Sequence, residues 1–109
     1  MTPDEHALRR LLDIEAIKEV VLRYCRGVDR LALDLVRSCY HPDATDTHGA
    51  FTGTVDEYLA WVEGLLARYD ATFHMIGNHL VDFAPHTSEG AADVAVSEEI
   101  GRASCRERV

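Results

Sequence analysis

The sequence predicts an α+β domain in which helices come first and strands arrive late and consecutively. Three observations predict it. Two segments, Thr2-Pro3-Asp4-Glu5 and Thr54-Val55-Asp56-Glu57, open with the same helix-capping pattern. Ile14, Ile17, Val21, Tyr24 and Val28 recur at spacings of 3, 4, 3 and 4, which is one face of an amphipathic helix. From Thr72 onward the pattern becomes strand-like, with Gly and Pro absent except at Gly77 until Pro85.

Each element has a local reason. Pro3 stands at the first helical position, where its missing N–H costs nothing. The helix it opens runs along the apolar stripe, and Gly27 weakens it near its end. A shorter helix carries Leu35, Val36, Cys39 and Tyr40; Pro42 stops it by pushing His41 out of helical angles. Ala44 to His48 reads as a short strand and Gly49 to Gly53 as a loop. The second capping box opens a helix burying Val55, Tyr58, Leu59, Val62, Leu65, Leu66 and Tyr69. Thr72 to Phe83 reads as a long strand. Simple alternation puts His74, Ile76, Asn78, Leu80 and Asp82 on one face, and Phe73, Met75, Gly77, His79 and Val81 on the other. Ser88-Glu89-Gly90 is a turn, and Ala91 to Ile100 a further strand.

Composition bounds the function. A chain of 109 residues, 47% of them apolar, supports one globular domain with a modest core. A net charge of -8 lacks the basic surface that nucleic acid or an anionic membrane demands. No apolar run is long enough to span a bilayer, and the acidic start Met1-Thr2-Pro3-Asp4-Glu5 differs from a secretory signal. Cys25, Cys39 and Cys105 are odd in number and form no Cys-x-x-Cys, which suits reduced thiols in the cytoplasm.

The residues with chemical promise are few. Asp29 closes the first helix, where the helix dipole disfavours an anion, and this anomaly marks it as a candidate acid/base group. His74, in Thr72-Phe73-His74-Met75-Ile76-Gly77-Asn78, is a candidate base; the bland alternative is a core histidine bonded to a carbonyl. Such a pair moves protons near neutral pH without a cofactor. Tyr24 belongs to the apolar stripe and, on a continuous helix, points about 140° away from Asp29. The two converge only if the helix ends or bends near Gly27. Asn78 is a candidate substrate contact beside His74, and Tyr58 and Trp61 on the third helix serve as packing or as lining of a binding site. His41-Pro42-Asp43 and Asp46-Thr47-His48 are too loosely spaced to argue for a metal, although Asp46 and His48 share a strand face. No Gly-rich phosphate loop or Gly-x-Ser-x-Gly is present.

Taken together, Ile14-Glu15-Ala16-Ile17, Arg23-Tyr24 with Val28-Asp29, Cys39-Tyr40-His41-Pro42-Asp43-Ala44 and Thr72 to Asn78 resemble the SnoaL-like branch of the NTF2-like superfamily over residues 5 to 100. The resemblance implies a cone, with a curved antiparallel sheet wrapped around the N-terminal helices and enclosing a pocket. It also implies a homo-oligomer, dimer or trimer. The enzymes it resembles most by motif are dehydratases of the scytalone and bile-acid 7α types, which eliminate water beside a carbonyl with an Asp and a His. Asp29, His74 and Tyr24 fall on positions matching that machinery. The expected activity is then a cofactor-free lyase or isomerase acting on a small hydrophobic molecule, an oxygenated ring of polyketide or steroid-like type. Two other readings stay open: a non-catalytic ligand-binding or dimerisation module, and the small subunit of a ring-hydroxylating dioxygenase.

Two departures stand against the resemblance. Val28 and Thr47 occupy positions where scytalone dehydratase has tyrosines. Residues 101–109, Gly101-Arg102-Ala103-Ser104-Cys105-Arg106-Glu107-Arg108-Val109, break the strand pattern and reverse the charge: 8 Lys+Arg face 18 Asp+Glu before them, and they themselves carry +2. They resemble translated vector or sequencing-adaptor DNA. The expectation is a domain over 1–100, incomplete at its C-terminus, with a non-native or disordered tail over 101–109.

Overall fold

The computed structural model describes residues 1–84 and 94–107. The elements run α1 (Pro3–Asp29), α2 (Leu33–Ser38), β1 (Thr45–His48), β2 (Phe51–Thr54), α3 (Val55–Leu66), β3 (Tyr69–Phe83) and β4 (Ala95–Glu107). The turn expected at Ser88 to Gly90 lies outside the described residues, as does the start of the strand expected from Ala91.

Both capping boxes form. The Thr2 hydroxyl accepts from the Glu5 N–H while Glu5 accepts from the Thr2 N–H, and Thr54 and Glu57 do the same for α3. α1 is roughly 40 Å long at 1.5 Å per residue. It stays helical through Gly27, whose bareness is used for packing: a Cβ there would lie 2.7 Å from a Val36 methyl. α1 ends in a Schellman motif, with Ala32 N–H donating to the Gly27 carbonyl and Leu31 N–H to that of Val28. Leu31 takes the left-handed position with φ 52°. Leu31→Gly therefore relieves about 1–2 kcal/mol of steric cost and gives back about 0.4–1 kcal/mol to the freer unfolded chain. The expected net is a small rise in urea midpoint with an unchanged slope.

The core lies among the last turns of α1, α2 and α3. Val28, Val36, Val55, Tyr58, Leu59, Val62 and Leu66 form it, with Tyr24, Leu33, Tyr40, Phe51 and Trp61 packed around it. The helix stripes read from the sequence are the faces that turn inward, except that α3 ends at Leu66 and Tyr69, read as part of its stripe, opens β3. The segment read as a loop is half strand: Phe51–Thr54 pairs antiparallel with Thr45–His48, and Gly49 turns the corner at φ 59°, open to glycine without cost.

The α+β class holds, but the cone does not form. The described strands make two separate two-stranded sheets, β1-β2 and β3-β4, neither curled around the helices nor closed. Curling needs a continuous sheet, and among the described residues β3 pairs with β4 alone. The radius of gyration is correspondingly 16.6 Å, against ~13 Å for a compact domain of this length.

Simple alternation along β3 also fails at one point. The register with β4 shifts between Ile76 and His79. Thr72, His74 and Ile76 face the covered side; beyond the shift His79, Val81 and Phe83 do. The extra residue of a bulge swaps the faces. His79 thus comes to the covered side and Asn78 is exposed. Residues 101–107 continue β4 opposite the first half of β3, with Ala103 paired to His74 and Cys105 to Thr72.

Candidate active site

α1 packs along β3 and delivers its last residue to the covered face of the strand. Asp29 Oδ1 accepts from the Thr72 hydroxyl at 2.8 Å and lies 2.5 Å from His74 Nδ1. Its Oδ2 accepts from the His74 backbone N–H at 2.9 Å. Thr72 and His74 can both reach it because residues two apart on a strand share a face. The side chains of Asp29 and His74 are 18% and 24% exposed, so the pair is sheltered from water without being sealed.

Burial alone would raise the Asp29 carboxyl. The hydrogen bonds from the His74 ring, the Thr72 hydroxyl and the His74 N–H, with the imidazole's charge, outweigh it and hold the group below its ordinary 3.8. An ionised carboxylate only accepts, so Nδ1 is the donor; in the neutral form of the ring the lone pair is then on Nε2. The sequence anomaly at the helix terminus is resolved: three donors on β3 supply what the helix dipole denies. The sign for stability follows. A group whose folded pKa is depressed contributes fully above 3.8, and that contribution disappears as pH falls through the folded value. Urea midpoints from about pH 6 to about pH 2.5 should fall more steeply for the wild type than for Asp29→Asn, which has no such proton to take up.

Tyr24 goes elsewhere. Because α1 does not bend at Gly27, Tyr24 and Asp29 diverge as a continuous helix requires. The Tyr24 hydroxyl hydrogen-bonds to that of Tyr58, and the Tyr40 hydroxyl donates to Asp46 Oδ2. Rings of Tyr24, Tyr40 and Tyr58 lie 6.0–6.4 Å apart, centre to centre. Burial first pushes all three phenols well above their ordinary value, helped at Tyr40 by the Asp46 carboxylate and at Tyr24 and Tyr58 by the neighbouring phenols and then by Asp46, so they remain protonated. Trp61 stacks on Phe51 at 5.3 Å and meets Tyr58 at 6.1 Å. The fold therefore joins Tyr24, Tyr58 and Trp61 in one cluster and Asp29 with His74 in another. Asn78 joins neither.

Three participants escape the sequence reading. Thr72 is the first, although its period-2 relation to His74 signals it. His79 is the second: its ring Nε2 lies 2.6 Å from the Ser97 hydroxyl, on the face that alternation assigned to the opposite side. Asp46 is the third, read only as a loose metal candidate. Cys25, one turn before Asp29, is buried, and burial with the nearby Asp29 charge pushes its thiol up, away from reactivity. Among the described residues no three His, Cys, Asp or Glu side chains converge as metal ligands, and no helix is long and apolar enough to cross a membrane.

Comparison with known proteins fits this architecture. A solved structure from Novosphingobium aromaticivorans described as a "Putative Scytalone Dehydratase" superposes with a TM-score of 0.73 at 21% identity. The match covers 90% of this chain and 63% of that one, so the chain spans less than two thirds of its structural relative. At that identity the likeness speaks for the fold. No curated protein matches. The family model of the SnoaL-like domain matches residues 9–100, and the chain belongs to that family.

Proposed function

We propose that the protein is a cofactor-free lyase or isomerase of dehydratase type. His74 Nε2 removes a proton beside a substrate carbonyl, and Asp29 orients the ring and balances the imidazolium that forms. The observation that carries this reading is the anchoring of His74 by one carboxylate at both its ring Nδ1 and its backbone N–H. Nothing fixes a solvent-facing histidine so closely, whereas a base needs both its tautomer and its direction set. Tyr24 lies in the cluster separate from Asp29 and His74, its hydroxyl on that of Tyr58 and Trp61 against Tyr58, so its proposed role is to donate to a substrate oxygen remote from the reacting carbon. The substrate is a hydrophobic, oxygenated ring compound, supported by family membership and by the description of the structural relative. No step uses residues 101–109.

The same proposal makes the protein a cytoplasmic homo-oligomer. Phe73, Met75 and Leu80 are 56%, 58% and 68% exposed on the outer side of β3, where a second copy would cover them. Sedimentation that finds only monomer at high concentration removes this part.

The test of the chemistry is deuterium uptake. Cyclic β-hydroxyketones are incubated with the protein in D2O, and α-proton loss and water elimination are followed by NMR. Uptake above buffer that vanishes in His74→Ala supports the reading. Turnover of a confirmed substrate that survives in a folded His74→Ala sinks it. Ligand binding without exchange, unchanged by that substitution, favours the non-catalytic module.

A further inference from the structure

The hairpin holds a second carboxylate and imidazole. Asp46 and His48 alternate along β1 and face α3, where the His48 ring lies 5.4 Å from that of Tyr58 and 6.1 Å from Trp61. Asp46 is well covered, with 11% of its side chain exposed. Its Oδ2 is satisfied by the Tyr40 hydroxyl. Its Oδ1 is buried and has no hydrogen-bond partner among the described residues. A buried acceptor left so is unfavourable, and the nearest group able to relieve it is the His48 ring. His48 Nδ1 stands 3.5 Å from that oxygen. A closure of roughly 0.7 Å makes it a hydrogen bond.

If Nδ1–H is given to Asp46, the neutral ring has its lone pair at Nε2. The His48 side chain is 51% exposed, so an edge of it is open to a ligand. Beside it, Phe51 and Trp61 stack at 5.3 Å and form an apolar flank. A lone-pair acceptor next to an aromatic flank recognises a hydroxyl on a flat ring.

We infer that Asp46 fixes His48 as the acceptor for the hydroxyl of a planar ring ligand that lies against Trp61. The ligand class deepens the proposed function and rests on it; the Asp46–His48 contact does not. No part of this site comes from residues 101–109.

The test is a long-range proton–nitrogen NMR spectrum of the imidazoles in the 15N-labelled full chain, with His48 assigned by its loss in His48→Gln. At a pH where the ring is neutral, the wild type should show His48 as the Nδ1–H tautomer, and Asp46→Asn should convert it to Nε2–H. A wild-type Nε2–H tautomer overturns the inference. That spectrum decides even if Asp46→Asn does not fold. Tyr40→Phe, which keeps the carboxylate, should retain Nδ1–H. The probe for the ligand is 2-naphthol: saturable, joint shifts of His48 Nε2 and the Trp61 indole N–H are expected, and shifts at neither overturn the site. His74→Ala should leave these signals in place, so failure of the catalytic reading is separable from failure of this one.

Discussion

Replacing His74 by alanine is expected to lower turnover of a confirmed substrate by about 10²–10⁴-fold, the usual worth of a positioned acid/base group. Folding should survive. The variant keeps the backbone N–H that Asp29 Oδ2 accepts and the Thr72 hydroxyl on Oδ1, so two of the three donors remain. The removed ring is one quarter exposed and lies outside the main core. A large kinetic loss with a nearly unchanged melting temperature is therefore the signature of chemistry. A parallel loss of both would mean that the histidine serves packing. Asp29→Asn separates the roles further: it keeps the ring but offers an amide that can present N–H to Nδ1. That favours the wrong tautomer, and a drop in kcat larger than any change in KM should follow.

The second large effect falls on stability. Tyr58 is 1% exposed and lies at the junction of Tyr24, Tyr40, His48, Phe51 and Trp61. Truncating a buried aromatic to alanine costs about 3–5 kcal/mol. A chain of this length has roughly 5–15 kcal/mol in total. The core is small, so there is little nearby mass to collapse into the hole. Tyr58→Ala is expected to be largely unfolded at physiological temperature by circular dichroism. Tyr58→Phe tests the explanation. It keeps the ring and removes only the hydroxyl partner of Tyr24, costing about 1 kcal/mol and some 4–8 °C in Tm. Equal losses in the two variants would show that the hydroxyl pair, and not the volume, holds the junction.

The helices were legible because capping and periodicity are local. Thr2 with Glu5, Thr54 with Glu57, and the Ile14 to Val28 stripe each act within a few residues, and the folded chain uses them as written. The meeting of Asp29 and His74 was legible for a different reason: an anion at a helix C-terminus needs a distant partner, and the resemblance supplied which one. The separation of Tyr24 from Asp29 was only half legible: helix geometry sets them apart unless α1 bends at Gly27, and the sequence left that bend open. What escaped depends on pairing. The Phe51–Thr54 strand is too short to show a period, and only its partner across Gly49 defines it. The face of His79 depends on a register shift at Gly77 and Asn78 that β4 imposes. The cone was a property of relatives, and it requires strand neighbours that β3 does not have among the described residues.

One consequence of the Asp29 contact concerns the free side of β3. Among the described residues that strand has a hydrogen-bonded neighbour on one side only, and an open edge of this kind invites another strand to pair with it. Asp29 occupies the edge at His74 by accepting its backbone N–H. A strand adding there must first expel the carboxylate, and the same event frees the imidazole. Strand addition along this edge and the anchored Asp29–His74 geometry are thus mutually exclusive states of one amide. Acid that protonates Asp29 should promote the first as it ends the second.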